Sequence, residues 1–125
     1  MMRLGLIAWV VSLAGAASAA EPVTRTRLDY ERTPAAASCP DELAMRRSVA
    51  ERLGYDPFHE EGVRTLRARV DRPSEWTVEI RLFDPEGALI GERQLSSPGS
   101  DCAELASSTA LAIAIALDPL VLARP

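Results

Sequence analysis

Two cysteines, one histidine and a scatter of carboxylates are the residues that could do chemistry in this chain. Cys39 and Cys102 lie 63 positions apart, with no C-x-x-C spacing and only His59 to join them. A redox or zinc centre asks for a tighter cluster, so the pair reads as a structural disulfide. His59, in Phe58-His59-Glu60-Glu61-Gly62, sits between predicted elements and reads as a solvated loop residue. Any Ser-His or Cys-His nucleophile would need His59 as its base, and no Gly-x-Ser-x-Gly elbow is present. Glu60/Glu61 and Asp101/Glu104 come nearest to paired carboxylates, the second pair being placed where a helix N-terminus favours acids. The glycines are scattered and form no phosphate loop. The expectation is a non-enzymatic protein with no catalytic residue, metal, cofactor or small-molecule ligand. A small secreted hydrolase or transferase using carboxylates is the alternative.

The first twenty residues determine where that chemistry would operate. Met1–Arg3 is a short basic start, Leu4 to Ala14 is apolar except for Ser12, and Ala17-Ser18-Ala19 is a small-x-small cleavage signal. Residues 1–20 therefore read as a secretory signal peptide rather than as an uncleaved membrane anchor. The expected location is the periplasm or the extracellular space, where Cys39 and Cys102 can pair. All fourteen basic residues are Arg, with no Lys and no Asn, and alanine is abundant. That bias suits a GC-rich bacterial genome and an envelope protein. The net charge of −4 and the interleaving of arginines with acids give no basic patch, so nucleic acid is not an expected partner.

Residues 21–119 are long enough for one modest core. Thr24, Thr26, Leu28 and Tyr30 recur at every second position, as in a half-buried strand. A linker follows at Thr33–Ala37. The next segment reads as a helix capped by Ser38 or Cys39 and stopped by Gly54, with Leu43, Met45, Val49, Ala50 and Leu53 on its buried face. Leu66/Ala68/Val70 and Trp76/Val78/Ile80/Leu82 alternate as two further strands, and Asp84-Pro85-Glu86-Gly87 is a turn signal. Ala88–Leu95 is the last strand, with a bulge or close approach at Gly91. Asp101–Leu117 reads as a helix by its alanine content, although its apolar residues also alternate. The expected fold class is α+β, a two-layer sandwich in the order β-α-β-β-β-α. Its four-stranded, mostly antiparallel sheet carries two helices on one face. The disulfide would join the starts of two parallel helices. Residues 120–125 form a tail.

The second helix differs from an ordinary surface helix. Leu105, Leu111, Ile113, Ile115 and Leu117 point nearly all round its axis, where one side should be polar. Leu111, Ile113, Ile115 and Leu117, with Leu120 and Leu122 of the tail, form the candidate interaction surface. Its expected partner is an unknown envelope protein or a second copy by self-association. A secreted inhibitor presenting Asp71–Glu75 or Asp84–Gly87 ranks last, since both are short enough to be hairpin turns.

Ser38-Cys39-Pro40-Asp41-Glu42, Arg52-Leu53-Gly54-Tyr55-Asp56-Pro57-Phe58, Gly91-Glu92-Arg93-Gln94-Leu95 and Asp101-Cys102-Ala103-Glu104-Leu105 make a recognisable set. With the Ala/Leu/Ile run ending Leu117-Asp118-Pro119, the set resembles a Cys-pair module found in exported envelope proteins of myxobacteria and their relatives. The resemblance covers about Leu28 to Pro119. In those proteins the module often precedes a further envelope segment, so this chain reads as a stand-alone or truncated copy. The resemblance carries no activity and assigns no catalytic residue.

Overall fold

The computed structural model describes Gly5 and residues 25–124, so the expected leader lies, Gly5 apart, outside the described residues. The chain runs β1 (Thr26–Arg32), a 3-10 turn at Pro34–Ala36, α1 (Glu42–Leu53), β2 (Arg64–Asp71), β3 (Trp76–Phe83), β4 (Leu89–Ser97), α2 (Ala103–Leu117) and a last 3-10 turn at Val121–Ala123. One sheet has the order β1-β2-β3-β4. β1 and β2 are parallel, and the other two pairs are antiparallel. Parallel neighbours need a crossover, which α1 supplies. The α+β sandwich expected from the pattern is the fold observed.

Alternation sets the register. Leu66 stands opposite both Leu28 and Leu82, Ala68 opposite Ile80, and Val70 opposite Val78. These residues are all buried on the face beneath the helices. A one-residue slip would turn that whole set to solvent. The opposite face carries charge in pairs across and along the strands. Arg67 meets Asp29 at 3.1 Å, and Arg81 lies 2.6 Å from Glu79 and 3.3 Å from Glu92. Such exposed pairs contribute about 1 kcal/mol or less each, so the apolar face dominates the energetics.

Capping differs from the sequence expectation by two or three residues. Asp41, not Ser38 or Cys39, caps α1: its Oδ1 accepts the Ala44 N–H at 2.9 Å. Gly54 ends the helix with φ of 82°, a backbone that side chains disfavour. Met45, Val49 and Leu53 face the core, but Leu43 is 55% exposed, because it falls on the far side of the helix from Met45. In β4 the extra residue of the bulge is Ile90, beside Gly91, since Leu82 pairs with Gly91 and Phe83 with Leu89. The strand also extends past Leu95 to Ser97.

The helices lie parallel. Cys39 precedes α1, Cys102 precedes α2, and the two are joined by a disulfide with Cα atoms 5.2 Å apart. At the other end the Tyr55 hydroxyl donates to Asp118 Oδ2 at 3.0 Å, and between the two ends Arg52 reaches back to the Ser107 carbonyl and hydroxyl, in the second turn of α2. Start therefore meets start and finish meets finish. β1 holds the Cys39 segment: the Tyr30 hydroxyl donates to the Pro40 carbonyl at 2.6 Å, and Arg32 Nη1 donates to the carbonyls of Ala37 and Cys39. No helix among the described residues is long and apolar enough to cross a membrane.

Candidate interaction surface

The residues with chemical potential are dispersed. His59 is exposed, and its backbone N–H donates to the Thr26 carbonyl at 2.9 Å. Glu60 and Glu61 are exposed beside it. Asp101 accepts the Ala103 N–H, and Glu104 sits in the first turn of α2, so both act as helix-start acids. Among the described residues, no three His, Cys, Asp or Glu gather as a metal site would require. The hairpin turn at Asp84–Gly87 is closed by Asp84 Oδ1, which accepts from Glu86 and Ala88.

Two acids do share a hollow on the charged face. Asp71 and Glu79, with Arg69, Thr77, Gln94 and Ser96, line a space of about 470 Å³. A general acid there would need a carboxyl pushed upward. Asp71 is instead held below the usual carboxylate range by the Thr33 hydroxyl at 2.7 Å, and next by the Arg72 N–H. Glu79 is committed to Arg81. Both carboxylates of the hollow are thus already engaged, Asp71 by hydrogen bonds and Glu79 by an ion pair.

The feature left open is the flank of α2. Its buried residues Leu105, Thr109, Ala110, Ala112, Ile113, Ala114 and Leu117 sweep an arc of roughly 200° at helical periodicity. Ile113 is fully buried and Leu117 only 7% exposed, so both belong to the core and leave the candidate surface. The sequence pattern could not separate them from Leu111 and Ile115, because it does not reveal how much of a helix its neighbours cover. Leu111 and Ile115 stand one turn apart on the uncovered side. They overlook β4 and, with Ile90, Arg93, Leu95 and Ala112, line a groove between helix and strand. The groove consists of two hollows of about 270 and 260 Å³, both bordered by Arg93. Each is below the usual range for a small-molecule pocket and accommodates one or two side chains. Leu120 and Leu122 are 70% and 72% exposed, but they belong to the tail and do not line the groove. Val121 packs the tail against the core, and Arg124 pairs with Asp118.

Ile90 and Arg93 were not singled out from the sequence. The usable signal was register: Arg93 lies opposite Ile80, on the helix-covered face of the outermost strand. An arginine at a core-facing position of an edge strand is anomalous in a pattern that otherwise keeps charge on the other face. A scan against models of protein families gives no match, and a search of curated proteins finds no relative.

Proposed function

We propose that this chain is an exported, non-enzymatic module of the bacterial envelope that binds another protein through the uncovered flank of α2 and the adjoining β4. The groove carries the reading: Leu111 and Ile90 are 37% and 54% exposed at a strand that, among the described residues, has no neighbour on its outer side. Apolar surface next to an unpaired strand edge is a common form of peptide-binding site. Export is supported by the leader-like start of the sequence and by the Cys39–Cys102 bridge, which persists in oxidising compartments. The resemblance to exported myxobacterial modules points the same way.

The test is a pair of measurements on the purified protein: binding of a hydrophobic dye, and sedimentation over a concentration series. The expected result is dye binding or self-association that falls away when Leu111 and Ile115 are both replaced by Asp. A wild-type protein that is strictly monomeric and ignores the dye would overturn the reading.

A further inference from the structure

The two edges of the sheet are not equivalent. At the β1 edge the Thr26 N–H donates to the Pro57 carbonyl at 3.2 Å, and the Thr26 carbonyl accepts from His59, so a parallel bridge to Phe58 covers the start of the strand. β4 has nine residues and, among the described residues, pairs only with β3. Among the described residues, its outward backbone groups find no further strand. An open edge of this length is a template for one more strand.

Arg93 gives that edge a charge preference. Its side chain borders both hollows of the groove, is exposed, and makes no hydrogen bond or ion pair among the described residues. Glu92, its neighbour on the other face, is already matched by Arg81. The groove side of the edge is therefore apolar, with one unmatched cation in the middle. A core-facing charge on an edge is also a guard against indiscriminate strand pairing. The two roles agree: Arg93 repels a strand that lacks an acid and accepts one that carries it.

A second copy is a poor occupant. Antiparallel pairing of two β4 strands about a two-fold axis sets residues of the same face opposite each other. Centred on Arg93 it opposes two arginines, centred on Glu92 it opposes two glutamates, and centred on Gln94 it faces Arg93 with Leu95. No central register supplies the missing carboxylate.

We infer that β4 accepts an extended segment of another protein, added as a fifth strand, whose groove-facing residues read apolar–acidic–apolar with the carboxylate on Arg93. The inference deepens the proposed protein-binding role and rests on it. Apolar side chains two residues either side of the acid would enter the two hollows, because alternate residues of a strand share a face.

The probe is a blocked heptapeptide, Thr-Val-Thr-Asp-Thr-Val-Thr, with a matched peptide carrying Lys in place of Asp. The full chain, isotope-labelled with its bridge intact, is titrated with each, and amide shifts are mapped. The Asp peptide should saturate shifts along β4 and the Leu111 side of α2, on the order of tenfold more tightly than the Lys peptide. Arg93→Glu should reverse the preference, and the affinity gained for the Lys peptide reports that the variant is folded. Equal affinity for both peptides, shifts confined to the charged sheet face, or a preference that survives Arg93→Glu would each overturn the inference. If neither peptide binds while the dye still depends on Leu111 and Ile115, the strand-addition inference falls and the protein-binding reading stands. If the protein also stays strictly monomeric and ignores the dye, both fall.

Discussion

Removing the bridge is the perturbation whose size follows most directly from the structure. Cys39 and Cys102 close a loop of sequence separation 63. On the chain-entropy account that closure removes about 4 kcal/mol of freedom from the unfolded chain. A domain of roughly 100 residues has only about 5–15 kcal/mol in total. In a Cys39→Ala, Cys102→Ala variant, the contacts that place this segment persist, because Tyr30 and Arg32 hold it through backbone carbonyls. The loss therefore falls mainly on the unfolded side, and the variant keeps the native fold. Its unfolding midpoint should drop by roughly 15–30 °C. A protein lacking residues 1–20 has Trp76 as its one tryptophan, and that side chain is 1% exposed, so its fluorescence follows the core directly. Reducing the wild type should give the same midpoint as the variant. A drop under about 5 °C, which is close to 1 kcal/mol for a domain of this size, would refute the loop-closure reasoning. Two titratable thiols in the oxidised native protein would refute the bridge itself.

The assignment of α2 residues to core and flank predicts that Ile113→Ala costs about 2–5 kcal/mol in chemical unfolding, whereas Leu111→Ala stays within about 1 kcal/mol. Tyr30→Phe should lose about 1 kcal/mol at neutral pH, since the hydroxyl donates to Pro40. Burial, reinforced by Asp41 and opposed by Arg32, raises the Tyr30 pKa above 10.0. That part of the stability is full below 10.0 and lost as pH rises through the folded-state value, so denaturant midpoints should fall on alkalinisation more in the wild type than in Tyr30→Phe. Asp71 has the opposite sign: with its pKa lowered by Thr33 and the Arg72 N–H, its contribution is present above 3.8 and lost as pH falls through the folded-state value. Asp71→Asn should flatten the acid limb of a stability profile below 3.8, and an unchanged limb would count against the Thr33 contact. Gly62→Ala should destabilise the protein severely, because a Cβ there would stand 2.3 Å from the Arg27 backbone nitrogen, and a wild-type unfolding midpoint would show that β1 does not run so close.

Strands were legible where one face is buried and the other is wet. β3 shows this best: Trp76, Val78, Ile80 and Leu82 are all buried, and the residues between them are partly exposed. The bridge and the parallel helices were legible because the only two cysteines each stand just before one of the two α-helices of the described residues. The α1 cap was missed because several capping-competent residues lie within four positions, and the aspartate won by accepting the Ala44 N–H. Leu43 was misassigned because a loosely patterned helix gives no sharp apolar stripe, and tertiary contacts chose the face. The groove was only half legible. Leu111 and Ile115 came from α2's own pattern, but Ile90 and Arg93 enter through the bulge and the register of β4, which depend on long-range pairing.

The all-round hydrophobicity of α2 has a direct structural cause. The helix is covered on more than one side: α1 packs along it, and β3 and β4 lie beneath it. Its buried alanines, Ala110 and Ala114 with no exposure and Ala112 with 8%, let neighbouring backbones approach where larger side chains would hold them apart. A helix enclosed in this way needs polar residues only on its remaining sector. That sector begins polar, with Glu104, Ser107 and Ser108, and turns apolar at Leu111 and Ile115. The change occurs beside Arg93 and the open edge of β4, within reach of Ile90. Packing among the described residues accounts for Ile113 and Leu117, but leaves Leu111 37% and Ile90 54% exposed. Leu111, Ile115 and Ile90, apolar residues that the core does not fully enclose, thus lie against the open edge of β4, and this coincidence is the physical basis for proposing a single partner for both.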